Sequence, residues 1–229
     1  MVSALKLYAV KYAESVFGEN YIFEGGNPDI SLPIDFTLFL FETDGRRILV
    51  DAGCDTMPGW DMRHFESPSV ILERASIPVD SITDVILTHS HHDHVEAVRY
   101  FKNAVIHVQK EEYNLCKSYI PDNFVLDIFD AECRLPNGIT VLKIGGHSIG
   151  SCVVEFPMNN KIGVISGDEI YYLKVLENAR ENSTAREKSP FLRKYFDDKK
   201  YEVLVMHQPM YLPNSNGVEL IFESERNKI

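Results

Sequence analysis

The segment Thr88-His89-Ser90-His91-His92-Asp93-His94 gathers into seven residues the side chains that bind divalent metals. With eight His and fifteen Asp in the chain, His-x-His-x-Asp-His should arise by chance on the order of once in a thousand such sequences. It follows the apolar run Val85-Ile86-Leu87, so His89 and His91 leave a strand end two residues apart and on one face, where both can grip one ion. Asp93 and His94, where the chain turns into a helix, point elsewhere and reach a second ion. Zinc takes about four ligands, so further ones must come from downstream. Three places offer them: Gly145-Gly146-His147, Ser166-Gly167-Asp168, and Met206-His207 at the end of an apolar run. Glycines beside His147 would keep side-chain bulk from blocking a metal. Singly, each is better read as a hydrogen-bonded side chain. Beside the first motif they become ligand candidates.

The elements that must position these groups follow from period and punctuation. Strands are expected at about Leu5–Val16, Ile34–Glu42, Arg47–Val50, Asp84–Thr88, Ala104–Gln109, Val141–Ile144, Cys152–Phe156, Lys161–Ser166 and Tyr201–Met206, with Thr43-Asp44-Gly45 as a hairpin turn. Helices are expected from Ser67-Pro68 to Ala75 and near His94–Phe101, Lys110–Lys117 and Pro190–Phe196. The charged stretch Glu177–Lys200 reads as a solvated helical face, with a substrate lid as the functional alternative.

Composition bounds the partners. The 229 residues, 45% hydrophobic, suffice for a substantial core and are read as a single domain, 1–229, without repeat or linker. Thirty-four acidic against 23 basic residues, net −11, give no global field to draw phosphate backbones or anionic lipid. A small-molecule substrate is therefore expected, with neither nucleic acid nor membrane, and a homodimer is compatible with the sequence. No apolar run nears the ~20 residues of a membrane span, and no secretory h-region opens the chain. A soluble, cytoplasmic protein is expected, with Cys54, Cys116, Cys133 and Cys152 as free thiols and Cys54 a small buried hydrophobe. His64 and His107 sit in no ligand-like setting and read as ordinary.

With these motifs in this order, and with Asp51 in Leu49-Val50-Asp51-Ala52-Gly53, the chain resembles the metallo-β-lactamase superfamily over most of its length. The resemblance implies an α/β fold, an αββα sandwich of two mixed β-sheets flanked by helices, with the site at the edge between the sheets. It implies that His89, His91 and His147 hold one metal, that Asp93, His94 and His207 hold another, and that Asp168 bridges them. Asp51 would accept an imidazole N–H and fix its tautomer, though from sequence alone it reads equally as a turn residue before Gly53. Two divalent ions are expected, zinc first, since imidazole and carboxylate also suit Fe, Mn and Co.

Within the superfamily, Asp168 stands where zinc β-lactamases have Cys or lack a bridging carboxylate, and His91 where flavodiiron proteins have Glu. Only 22 residues follow His207, too few for the C-terminal domain of glyoxalase II proteins. The chain is most similar to the N-acyl-homoserine lactonases, through Leu5-Lys6-Leu7-Tyr8, Arg47-Ile48-Leu49-Val50-Asp51, Val108-Gln109-Lys110-Glu111-Glu112-Tyr113, and Tyr171 three residues after Asp168. It departs from them in His92, at a position usually apolar or aromatic, and in Val95-Glu96-Ala97, which replaces a Gly pair. The implied chemistry is hydrolysis of an ester or lactone by a hydroxide shared between two ions. Asp93 would carry a proton to the leaving group, and Tyr171 would steady the developing oxyanion or else simply pack beside Tyr172. Thioester or phosphodiester hydrolysis at the same metals is the alternative, and a non-catalytic metal or ligand sensor is the third reading.

Overall fold

The computed structural model describes residues 4–224. Two mixed sheets face each other, as expected. The first runs in the order β12-β1-β2-β3-β4-β5-β6, from β1 (Lys6–Gly18), β2 (Ser31–Thr43), β3 (Arg46–Val50), β4 (Asp84–Leu87), β5 (Val105–Gln109), β6 (Val125–Phe129) and β12 (Val218–Glu223). The second runs β11-β10-β9-β8-β7, from β7 (Glu132–Arg134), β8 (Thr140–Lys143), β9 (Cys152–Met158), β10 (Lys161–Ile165) and β11 (Tyr201–Leu204).

In β2 the run Ile34–Phe41 is buried throughout, because this strand lies inside its sheet and is covered on both faces. Phe41 of β2 meets Phe156 of β9 edge-on, with ring centroids 5.0 Å apart, and Phe222 of β12 joins them, so the sheets are joined by aromatic packing. Helix Pro68–Arg74 packs on β1, and Lys110–Cys116 on β5 and β6. Among the described residues no helix is long and apolar enough to cross a membrane.

The sheets deliver the candidate ligands by the same device twice. β3 and β4 are parallel with Val50 opposite Ile86, so Asp51 and Thr88-His89 leave one sheet edge together. β10 and β11 are parallel with Ile165 opposite Leu204, so Asp168 and His207 leave the neighbouring edge together. Parallel strands release their loops at the carboxyl end, where ligands of such sheets gather. Hydrogen bonds from Cys152 N to Thr88 O (2.8 Å) and from Thr37 N to Met206 O (3.1 Å) fix the two edges against each other.

Three expectations change. The helix expected over His94–Phe101 is a single turn at His92–Val95 followed by a 3-10 stretch at Glu96–Tyr100. Strands β6, β7 and β12 were not expected. Most of the stretch Glu177–Lys200 lies in helices Leu173–Glu181, Ser183–Lys188 and Pro190–Tyr195, which bury Leu176, Ala179, Phe191, Leu192 and Tyr195 against Val153, Val164 and Val203 of the second sheet. Its polar face is solvated, as read, but none of its residues lines the cavity beside the site described below.

Candidate metal centre

The structure brings all seven sequence-predicted ligands together in two groups. His89, His91, His147 and Asp168 each offer one donor atom within 4.8 Å of the others, and so do Asp93, His94 and His207. Asp168 lies between the groups. Its Oδ2 is 3.7 Å from His89 Nε2 and 3.6 Å from His147 Nε2, while its Oδ1 is 3.1 Å from His94 Nε2 and 3.0 Å from His207 Nε2. Asp93 Oδ2 closes the second group at 3.5 Å from His94 Nε2 and 3.9 Å from His207 Nε2. An ion bonded at about 2.1 Å to tetrahedral donors sets them about 3.4 Å apart, and these separations bracket that value.

The imidazoles are turned by partners behind them. Nδ1–H of His94 donates to Asp51 Oδ2 (2.7 Å), and that of His207 to the Asp35 carbonyl (2.9 Å). His89 Nδ1 contacts Thr88 Oγ1 (3.1 Å), whose hydroxyl donates to Asp51 Oδ2 (2.8 Å). Each opposite nitrogen then presents a lone pair. His89 Nε2, His94 Nε2, His207 Nε2 and Asp168 Oδ1 are buried without a hydrogen-bond partner, although buried polar atoms are almost always paired. Lone pairs converging at 3.0–3.1 Å repel unless a cation lies among them, so this donor set fits divalent metal. Where no metal competes for that lone pair, the same carboxylates favour a proton on it: burial opposes charge on His94, yet Asp168, Asp93 and Asp51 raise its pKa well above the ordinary value. Burial likewise opposes ionisation of Asp168, yet His94, His207 and His89 hold it well below the carboxylate range.

Asp51 reconciles its two readings. It is a turn residue in the left-handed region, φ 62°, and its fully buried carboxylate also accepts from Thr88 N (2.6 Å), Thr88 Oγ1 and His94 Nδ1. These bonds offset a backbone conformation that costs roughly 1 kcal/mol.

Two positioning carboxylates escaped the sequence reading. Glu112, fully buried, accepts from Ser90 N (2.9 Å), between His89 and His91, and from Ser148 Oγ (2.7 Å) and Gly150 N (2.8 Å), just after His147. It thus ties two ligand loops together. Glu169 accepts from Gly146 N (3.2 Å), His147 N (3.1 Å) and Ser151 Oγ (2.5 Å). The glycines around His147 make room for these carboxylates: a Cβ on Gly146 would lie 2.0 Å from Glu169 Oε2, and one on Gly150 2.9 Å from Glu112 Oε1. The only sequence signal for Glu112 was the Glu111-Glu112 pair inside a segment already noted for its resemblance, and for Glu169 its place directly after Asp168.

Tyr171 lines the site. Its hydroxyl donates to Asp168 Oδ2 (3.0 Å) and its ring stacks on His207 at 5.1 Å, whereas Tyr172 packs against Phe23. His92 turns away from both ligand groups and sets Nε2 2.9 Å from the Thr56 carbonyl. Glu96, in place of a glycine, accepts from Asp55 N (2.8 Å) and from Arg99 (2.8 Å). Both departures thus anchor the loop that follows Asp51. Cys54 is buried, and burial pushes its thiol up to about 12, as an inert side chain requires. Among the described residues all four cysteines are free. His64 is exposed, as an ordinary histidine; His107 is not ordinary, being buried between Asp84 and Asp127.

A cavity of about 670 Å³ opens on His91, Asp93, Asp168, His207 and Tyr171. Its outer wall is apolar, from Val16, Phe17, Tyr21, Pro58 and Trp60.

Comparisons with known proteins bear on the fold and the family. No curated protein sequence matches the chain significantly. A quorum-quenching N-acyl homoserine lactone lactonase superposes with TM-score 0.76 at 21% identity, over 91% of this chain and 94% of that one. AidC, a dizinc quorum-quenching lactonase, gives 0.69 at 19%, over 99% and 97%. A probable metal-dependent hydrolase from Staphylococcus aureus gives 0.73 at 17%, over 100% and 99%. At these identities the likeness is one of fold. The family model described as "Metallo-beta-lactamase superfamily" matches residues 37–205, which carry six of the seven candidate ligands, and the chain belongs to that superfamily of metal-dependent hydrolases.

Proposed function

We propose that the chain is a dinuclear metal hydrolase that opens lactones or esters bearing an apolar acyl chain, N-acyl-homoserine lactones being the model substrate. The observation that carries this reading is the pairing of a seven-ligand centre with a cavity whose mouth is aromatic and aliphatic. His89, His91 and His147 would hold one ion, Asp93, His94 and His207 the other, with Asp168 shared. The dizinc relative and the donor set both favour zinc. Divalent ions held there would supply Lewis acidity toward a carbonyl and would lower the pKa of water.

The chain's own groups do the rest. Phe17, Tyr21 and Trp60 would cover an acyl tail and exclude water from the reacting carbonyl. Tyr171 would donate its O–H to the oxygen on which charge develops. Asp93 would carry a proton to the departing oxygen. A net charge of −11 suits a neutral lactone better than a phosphodiester.

The test is a hydrolysis panel on metal-reconstituted protein, with lactones, thioesters and phosphodiesters of matched tails. The lactones should show the highest kcat/KM, rising with acyl length as more of the apolar wall is used. Preference for a phosphodiester or thioester, or indifference to tail length, would sink the assignment.

Glu112→Gln should lower metal affinity roughly 10- to 100-fold, as loss of support behind ligands does. The amide sets an N–H₂ against donors that now meet carboxylate oxygen at Ser90, Ser148 and Gly150. Competition with a chelator reads the change directly. Unchanged affinity would mean that Glu112 only holds the fold.

A further inference from the structure

We infer that the chain carries a further zinc-class metal site, separate from the seven-residue centre, built from His107, Asp127 and Cys133. His107 lies on β5, Asp127 on β6 and Cys133 on β7, so the site would join the two sheets where their edges meet. The three donor atoms already converge: His107 Nδ1 is 2.9 Å from Asp127 Oδ2, Cys133 Sγ is 3.3 Å from the same oxygen, and Sγ is 3.6 Å from Nδ1. Zinc bonded at about 2.3 Å to sulfur and 2.1 Å to nitrogen or oxygen sets such atoms about 3.4–3.6 Å apart. The sulfur–nitrogen pair already lies in that range, and the others reach it by a small swing of Asp127, whose side chain is 48% exposed.

The hydrogen bonding around His107 points the same way. Its Nε2 is 2.9 Å from Asp84 Oδ1, so both ring nitrogens face carboxylate oxygens at 2.9 Å. A neutral imidazole has one N–H and can satisfy one of them. Asp84 is the natural recipient: fully buried, it is further held by Arg46 and Thr83, and a carboxylate behind a ligating imidazole is the usual support of a metal site. Nδ1 then turns a lone pair toward the Asp127 carboxylate and the Cys133 sulfur, an arrangement that a cation resolves.

Charge balances as well. On binding, Cys133 releases its thiol proton to water as the sulfur–metal bond forms, and the dication meets one thiolate and one carboxylate. A soft thiolate and a borderline imidazole beside one carboxylate, with the exposed side left for water, match zinc rather than magnesium or calcium.

None of the seven residues of the main centre is a cysteine, and this separates the two sites spectroscopically. Protein reconstituted with excess Co(II) and desalted should show thiolate-to-cobalt charge-transfer absorption in the near ultraviolet. Cys133→Ser and Asp127→Ala should each remove that band and one cobalt per chain, while the remaining cobalt and the hydrolytic rate stay at the parent level. Asp127 lies on the exposed rim, so its variant keeps the test open if Cys133→Ser does not fold. Absence of the band in the parent protein, or its survival in either variant, overturns the site.

Discussion

Asp168→Ala is expected to lower kcat by roughly a thousandfold or more, about 4 kcal/mol of transition-state stabilisation, and to release both ions of the main centre together. The expectation follows from the two faces of one carboxylate. Oδ2 looks toward His89 and His147, and Oδ1, buried and unpartnered, toward His94 and His207. Alanine removes a candidate donor from each group and the negative charge that would lie between two bound dications. Two dications bound in these groups would then face each other with no negative charge between them, which in a buried setting is strongly unfavourable. Elemental analysis after dialysis should show two equivalents fewer than the parent. His92→Ala is the control: its Nε2 contacts the Thr56 carbonyl, so metal content should not change. Loss of one equivalent or none in Asp168→Ala would remove the bridging role, and loss of an ion in His92→Ala would shift the ligand register by one residue.

The parts of this centre that were legible in the sequence share a physical character. His89, His91, Asp93 and His94 are close in sequence and follow an apolar run, so their spacing alone places them at a strand end. His147, Asp168 and His207 are each just beyond an expected strand, and in the structure parallel pairing of β10 with β11 turns that shared position into shared location for Asp168 and His207, while His147 arrives after β8, antiparallel to β9. Glu112 was illegible for the opposite reason. It stands in the first turn of helix Lys110–Cys116, where an acidic residue normally faces solvent and complements the helix end. Only the arrival of Ser90, Ser148 and Gly150 from distant loops buries it.

The missed strands follow the same logic. β6 is an edge strand with Val125 and Ile128 exposed, so it shows no alternation of apolar and polar faces. β7 is three residues long. β12 does alternate in part, but its existence depends on pairing with β1, whose partner lies more than two hundred residues away in sequence. His107 reads as ordinary inside Val105–Gln109 because Asp84, Asp127 and Cys133 reach it only through neighbouring strands and the opposite sheet. Residues whose partners are local announce themselves. Those whose partners are tertiary do not.

Tyr171→Phe is expected to lower kcat roughly 10- to 1000-fold while KM moves little and metal content stays intact. The hydroxyl lies at the cavity beside Asp93 and Asp168, and burial together with the Asp168 carboxylate raises its pKa, so it stays an O–H donor at any pH of interest. In the ground state it donates to Asp168 Oδ2 at 3.0 Å. Turning that donor to an oxygen on which negative charge is forming would be favoured only as the charge develops, which places its effect on kcat rather than on binding. Phenylalanine keeps the ring that stacks on His207 and meets Phe17, so packing is preserved and the hydroxyl alone is tested. If the hydroxyl serves only to orient Asp168, the loss should appear as weaker metal binding, which chelator competition would detect before any change in the saturated rate. If the ring merely packs, neither quantity should move. Rates on a lactone and on a thioester of matched acyl chain distinguish these cases, and an unchanged kcat on both would remove Tyr171 from the chemistry and leave Asp93 as the proposed side chain acting on the substrate.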